Sequence, residues 1–244
     1  MQELWFFGLL LVAEVLGTVG GFGSSMLVMP LAGFFLPFDQ ALGLTALFHV
    51  FSNGAKIMLF RTGLSKKLLL TMGLPAVLGV VLGARLTAFL PAEHMMLVLS
   101  GVLVLLSLIF LLAPDLRIDA STRNASLGGA ASGLIAGLVG TGGAIRGLTL
   151  AAFDLEKNVF ISTSAWIDMG VDLSRTVVYT GQGYIHTQVL GYLPGLAVVS
   201  LVGSWLGRSL LEHVPQNRFR KLVLVLVMGV ALVSAVRVIQ QLAS

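Results

Sequence analysis

Charged residues are scarce in this chain of 244 residues, since Asp, Glu, Lys and Arg together make up 11% of it. A soluble domain carries roughly 25%, so the deficit excludes a surface that faces water throughout. Hydrophobic residues make up 57%, and mean hydropathy is +0.97. Apolar runs recur near the length of about 20 residues that crosses a bilayer as helix. The sequence therefore predicts an all-α polytopic membrane protein.

Cysteine is missing altogether, which excludes disulfides and thiolate metal sites. The four histidines are far apart and match no metal-site spacing. No Gly-x-x-x-x-Gly-Lys-Ser/Thr loop for ATP is present, so we expect no metal, no cofactor and no energy source beyond gradients. The first apolar run lacks the basic flank and cleavage site of a signal peptide, and we expect it to stay in the membrane. Nucleic-acid binding is not expected, because the net charge of +4 is better explained by orienting loops.

Ten apolar segments and one polar linker organise the chain into two halves. The segments are 4–19, 24–36, 40–60, 67–90 and 95–113, then 127–139, 144–153, 157–180, 187–211 and 218–240. Between them lies the linker, 114–126, so the first repeat is 1–113 and the second is 127–244, within one integral membrane domain. The halves match in order. Gly17–Gly23 matches Gly137–Gly143 at an offset of 120, and at an offset of 119 four polar positions match, Thr45, His49, Asn53 and Lys56 with Ser164, Asp168, Asp172 and Arg175.

The basic loops favour an inverted relation between these repeats. If each glycine-interrupted pair of segments turns back at its glycines, the basic loop residues share one face: Arg61, Lys66, Lys67, Arg117, Arg123, Lys157, Arg218, Arg220 and Lys221. Loops near 37–40, 91–94 and 181–186 contain no Lys or Arg and lie on the other face. The positive-inside rule then places the basic loops in the cytoplasm and both termini outside. Each repeat is predicted as a short Gly-broken helix hairpin, re-entrant or fully spanning, plus three transmembrane helices.

Two glycine clusters interrupt apolar runs at matching positions of the halves, and they predict an anion site. Short hairpins entering from opposite faces bring both tips near the midplane, where transporters bind their substrates. Helices that begin near Ser24 and Ala144 would direct free N–H groups into that space. The predicted substrate-binding residues are Gly20, Gly21, Gly23, Ser24, Ser25, Gly140, Thr141, Gly142, Gly143 and Arg146. The alternative is that the glycines only allow close helix packing.

Two polar helix faces are predicted to meet beside these tips and to line the site or couple protons. They comprise His49, Asn53 and Lys56 in the first half and Asp168, Asp172 and Arg175 in the second, each set at i, i+4 and i+7. Ionisable groups inside a membrane need a partner or a purpose, and buried carboxylates or His49 can exchange protons. As alternatives, Asp172 and Arg175 neutralise each other, and His49 is a packing residue. Glu14 is predicted to pair with a neighbouring helix.

Four glycine-rich elements are similar to those of a known family. Two of them are the matching clusters Gly20–Gly23 and Gly140–Gly143. The other two, Gly79–Leu86 and Gly203–Arg208, lie later in each half and resemble the family's Gly-x-x-x-Gly-(Ala)-Arg element. On these elements the chain resembles the TauE/SafE family of sulfite and organosulfonate exporters over nearly its whole length. Phe22 departs from the uninterrupted glycines of many members. The resemblance implies a bacterial-type inner-membrane permease that moves small sulfur-containing anions, usually outward.

These features together predict a secondary transporter that exports a small sulfur-containing oxyanion by alternating access around a midplane site, with proton coupling. Its expected partners are that inorganic or organic anion, protons and the lipid bilayer. A passive anion channel is one alternative. The other is an intramembrane enzyme that uses Ser24, Ser25 or His49 with the aspartates. No residue is assigned a catalytic role, because no nucleophile elbow or metal-ligand cluster accompanies these residues.

Overall fold

The computed structural model describes residues 2–20, 23–61, 63–113 and 118–211, and scattered positions between 225 and 240. Its helices are α1 (Gln2–Gly20), α2 (Ser25–Ala32), α3 (Phe38–Leu59), α4 (Lys66–Leu68), α5 (Leu74–Leu86), α6 (Ala92–Leu112), α7 (Thr122–Val139), α8 (Gly143–Ala151), α9 (Lys157–Gly181), α10 (Thr187–Gly191) and α11 (Leu193–Leu211). A π-helical turn at Leu69–Gly73 joins α4 to α5, and Thr87–Phe89 adds a final 3-10 turn. Lys66–Phe89 is therefore one continuous helix.

The all-α membrane architecture is confirmed. Within the described ranges, four helices are long and apolar enough to cross a membrane: Phe38–Leu59, Lys66–Phe89, Ala92–Leu112 and Leu193–Leu211. The predicted segment 187–211 is divided at Tyr192, two residues before Pro194, which lacks an N–H donor and lies in the first turn of α11. Most of the predicted segment 218–240, together with Arg117, Arg218, Arg220 and Lys221, lies outside the described residues.

Left-handed glycines lie at the two predicted helix breaks. Gly23 has φ +77° and Gly140 has φ +78°, a backbone region in which glycine avoids the steric cost that other residues meet. After each break the chain starts a short second helix, α2 or α8. The two breaks meet inside the protein, where the Thr141 hydroxyl lies 3.3 Å from the Ser25 hydroxyl. Distant parts of the sequence thus form one central junction.

Each half packs its fourth apolar segment on the first helix of the other half. A side-chain carbon on Gly83 of α5 would collide with the Leu134 carbonyl oxygen of α7. One on Gly203 of α11 would lie 2.8 Å from the Cβ of Glu14 in α1. Small residues allow this close backbone approach between membrane helices. The Gly-x-x-x-Gly elements in the tails of the two repeats are therefore helix-packing surfaces.

Helices α3 and α9, which carry the matched polar positions, cross at the centre. Asn53 Nδ2 donates a hydrogen bond of 2.6 Å to Asp172 Oδ2, and His49 Nδ1 lies 2.9 Å from Arg175 Nη2. Residue numbers therefore increase along α3 in the direction in which they decrease along α9, so the two helices run in opposite directions. Along α5 and α7 the order is the same in both helices, since Gly79 packs on Ala130 just as Gly83 packs on Leu134. These registers fix how the two halves interlock.

The apolar side chains divide between the interior and the outer surface. Phe48, Leu42 and Met26 belong to the larger buried cluster, around α2 and α3. Leu78 and Val177 are each 73% exposed, which is the exposure expected of side chains that contact lipid. The polar residues of the predicted site lie on the inward faces of α3 and α9.

Candidate functional site

A cavity lies where the two helix breaks meet α3 and α9. It is lined by Gly23, Ser24, Ser25, His49, Asn53, Lys56, Ala136, Gly140, Gly142, Gly143, Arg146, Asp168, Val171, Asp172 and Arg175. The structure therefore brings together nearly all of the residues predicted for the site. Gly20 ends α1, Thr141 lies beside the cavity against Ser25, and Gly21 lies outside the described residues. Ala136 and Val171 were missed because apolar residues carry no signal for a polar site.

A buried cluster around Glu14 holds the first break. The Glu14 carboxylate is fully buried and forms an ion pair of 2.9 Å with Lys56 Nζ, as the sequence led us to expect. It also accepts hydrogen bonds from the hydroxyls of Ser24 (2.5 Å), Ser52 (2.6 Å), Ser204 (2.9 Å) and Thr18 (3.3 Å). These donors come from α1, α3, α11 and the residue that precedes α2. Glu14 therefore fastens the first break to three long helices.

Arg175 holds the second break in a comparable way. Its guanidinium is buried, and Nε donates to Asp172 Oδ1 at 2.7 Å. Nη1 reaches the carbonyl oxygens of Gly140 at 3.3 Å and Ala136 at 3.4 Å, where α7 ends. Asp172 and Arg175 thus form the ion pair given above as the alternative to a direct role. Arg175 and its counterpart Lys56 each hold the break of their own half.

Arg146 is the cation that lies nearest the start of α8. Its Nε donates to Ser164 Oγ at 3.0 Å, and Nη1 forms an ion pair with Asp168. The Asp168 side chain is 17% exposed, against 7% for Asp172, so Asp168 is the more accessible carboxylate. Ser164 was matched to Thr45 in the sequence but was not predicted as a site residue.

The Arg146–Asp168 pair lies where two cavities meet. A second cavity shares Gly23, Asn53, Lys56, Arg146 and Asp168 with the first and extends along α9 to Phe160 and Ile161. That direction leads towards the beginning of α9, which follows the loop at 152–156. The ion pair therefore lies between the central cavity and the end of the protein at which α9 begins.

In the opposite direction, towards the C-terminal end of α9, hydrogen bonds connect the helices. Gln182 Nε2 donates to the Ala84 carbonyl at 2.9 Å, and the Thr87 hydroxyl lies 3.2 Å from the Tyr184 hydroxyl. Nearer the cavity, the Tyr179 hydroxyl donates to the Gly137 carbonyl at 2.5 Å. These contacts join α5, α7 and the C-terminal end of α9 on the side away from the second cavity. The central cavity thus extends preferentially to one face.

Known proteins are similar to this chain over nearly its whole length. A family model described as sulfite exporter TauE/SafE matches residues 6–234. The chain belongs to the TauE/SafE family. It is 25% identical over 221 residues, 84% of this chain and 89% of the relative, to a Bacillus subtilis (strain 168) protein described as probable membrane transporter protein YdhB. No solved structure matches the chain.

The family match confirms the resemblance drawn from the glycine-rich elements. It spans both helix breaks, α3, α9 and all the residues around the two cavities. This TauE/SafE protein is therefore a membrane transporter, and the junction of its two helix breaks is its strongest candidate for a substrate site.

Proposed function

We propose that this TauE/SafE protein exports a small sulfur-containing oxyanion, sulfite or an organosulfonate, that binds to Arg146 between the two helix breaks. The observation that carries the proposal is the position of Arg146 at the junction of the two cavities. A guanidinium presents several donors in fixed geometry and suits an oxyanion. The N-terminus of α8 and the hydroxyls of Ser25 and Thr141 lie beside the cavity and add further donors. The name of the family supports a sulfur oxyanion as substrate.

We propose that transport is coupled to protons because the anion and the Asp168 carboxylate compete for Arg146. An anion that enters the cavity has to share or replace the carboxylate of Asp168 at the guanidinium. Protonation of Asp168 removes that competitor, so the anion and a proton are bound in the same step. A dianion that leaves with one proton carries one net negative charge outward. An inside-negative potential favours that movement by about 2.3 kcal/mol per charge for each 100 mV.

We also propose that the two halves are inverted repeats and that access to the site alternates between the two faces of the membrane. Three observations support them: the opposite order of contacts along α3 and α9, the packing of the fourth segment of each half on the first segment of the other, and the hydrogen bond between the counterpart residues Asn53 and Asp172. His186 Nε2 also lies 3.8 Å from Asp39 Oδ2, which joins two of the loops without Lys or Arg. The protein is proposed to span the inner (plasma) membrane several times, with its basic loops in the cytoplasm.

Flux measurements test the substrate. Proteoliposomes loaded with sulfite are expected to release it faster than protein-free liposomes, with saturation, and faster still under an inside-negative potential. Acidification of the loaded side is expected to increase the rate. Arg208→Gln serves as the control variant, because Arg208 is exposed and donates to the Leu59 carbonyl away from the cavity. Absence of sulfite and organosulfonate flux contradicts the proposal. Flux that does not saturate and ignores pH favours a channel.

Cysteine labelling tests the topology, since the chain has no native cysteine. Lys66→Cys is expected to react with an impermeant thiol reagent from the cytoplasm, and His186→Cys from the opposite face. Glu93→Cys is the reference, because parallel and inverted models both separate it from Lys66. Labelling of Lys66→Cys and His186→Cys from the same face means that the repeats are parallel and that the inverted arrangement is wrong.

A further inference from the structure

We infer that His49 is a neutral hydrogen-bond donor to the transported oxyanion, and that its tautomer is set by Arg175. The inference rests on the proposed function, because it assigns a contact within the same site. Its starting point is the 2.9 Å separation of His49 Nδ1 and Arg175 Nη2. A guanidinium can only donate hydrogen bonds. Nδ1 is therefore the acceptor, and the proton of the neutral ring is on Nε2.

The Nε2 atom has no hydrogen-bond partner within the part of the chain that the structure describes, although it is buried. Buried polar atoms are nearly always paired, so an unpaired one calls for an explanation. The His49 ring is 5% exposed and lines the central cavity together with Ser24 and Arg146. Since Nδ1 already faces Arg175, Nε2 is the polar atom of the ring that remains for a ligand.

The surroundings of the ring keep it neutral. A proton on Nδ1 would point at the N–H groups of Arg175, which itself contacts α3, α7 and α9. The other ionisable groups around the ring are Lys56 on α3, Glu14 on α1, Arg146 on α8, and Asp168 and Asp172 on α9. The ring is buried and lies against the Arg175 guanidinium, and both features oppose a positive charge on it. His49 is therefore a donor, and proton coupling falls to the aspartates.

An oxyanion is the ligand class that this donor fits. The ring N–H is directional and needs an acceptor atom at one position, whereas Arg146 provides the charge. The oxygens of sulfite or of an organosulfonate can meet both groups at once. His49 then selects for an anion with an oxygen on the α3 side of the cavity.

Two variants separate this role from a packing or proton-carrying role. In His49→Asn the side-chain oxygen can replace Nδ1 as acceptor for Arg175, but nothing reaches the position of Nε2. In His49→Gln the amide nitrogen can replace Nε2 as donor, and the group does not titrate. We expect His49→Asn to raise the Kd for sulfite by roughly tenfold to hundredfold. We expect His49→Gln to bind sulfite more tightly than His49→Asn and to keep the pH dependence of transport.

The outcomes are distinct. Wild-type sulfite affinity in a folded His49→Asn protein, with folding checked by thermal unfolding in detergent, overturns the inference. So does loss of the pH dependence in His49→Gln, which would make His49 a proton carrier. If His49→Asn fails to fold, the sulfite affinity and the pH profile of His49→Gln still decide whether His49 is a hydrogen-bond donor or a proton carrier. A wild-type protein that binds neither sulfite nor methanesulfonate overturns the proposed function, and the His49 assignment falls with it.

Discussion

Arg146→Lys is expected to lower sulfite transport at subsaturating concentration by roughly 100-fold or more. The guanidinium binds Ser164 and Asp168 at the same time, and it still has donors that face the cavity. Lysine keeps the charge but concentrates it on one atom, so it cannot hold both partners and the anion in fixed geometry. Initial rates of sulfite release from proteoliposomes measure the effect.

Two further variants show whether the loss comes from anion binding. Arg146→Gln leaves Asp168 without its partner, so it should reduce both stability and transport. Adding Asp168→Asn to Arg146→Gln should recover stability without recovering transport. Arg208→Gln should stay within about threefold of wild type. Rapid sulfite flux through a folded Arg146→Gln/Asp168→Asn protein would place the anion elsewhere.

Glu14→Gln is expected to destabilise the protein by about 3–5 kcal/mol, since it leaves the charge of Lys56 buried without a counter-charge. The Glu14 side chain is fully buried and Lys56 is 10% exposed, so water cannot replace the carboxylate as the partner of the Lys56 ammonium group. Denaturant unfolding in detergent, followed by tryptophan fluorescence, measures the change. Glu14→Gln should also weaken sulfite binding, because the carboxylate holds Ser24 at the first break.

The double variant Glu14→Gln/Lys56→Met tests the electrostatic explanation. Removing both charges should recover much of the lost stability, because an apolar side chain replaces the unpaired ammonium group. Glu93→Gln at an exposed position is the matched control and should change stability by less than about 0.5 kcal/mol. Equal destabilisation in the single and double variants would mean that packing, rather than charge, dominates at Glu14.

Much of the fold could be predicted because its signals are local. Both helix breaks were predicted from glycine clusters, and Gly23 and Gly140 do adopt positive φ. The polar faces of α3 and α9 were predicted from helical spacing, and their residues line one cavity. The division at Tyr192 was missed because Pro194 lies within a long apolar run that reads as one helix.

The partners of the site residues could not be predicted, because they depend on which helices meet. Ser52 and Ser204 bind Glu14 from helices far apart in sequence, and a single serine in an apolar helix gives no periodic signal. The contact of Arg175 with the carbonyl of Gly140 likewise exists only once α9 packs on the end of α7. For the same reason the tautomer of His49 follows from the structure alone.

The anchoring of the two breaks has a consequence for the proposed alternating access. Lys56 with Glu14 ties the first break to α3 and α11, while Arg175 ties the second break to α9. A hairpin fixed in this way cannot swing by itself, because it would have to leave a buried charge unpaired. We expect the conformational change to be a rocking of whole helix bundles, with the short hairpins carried along as rigid parts of them.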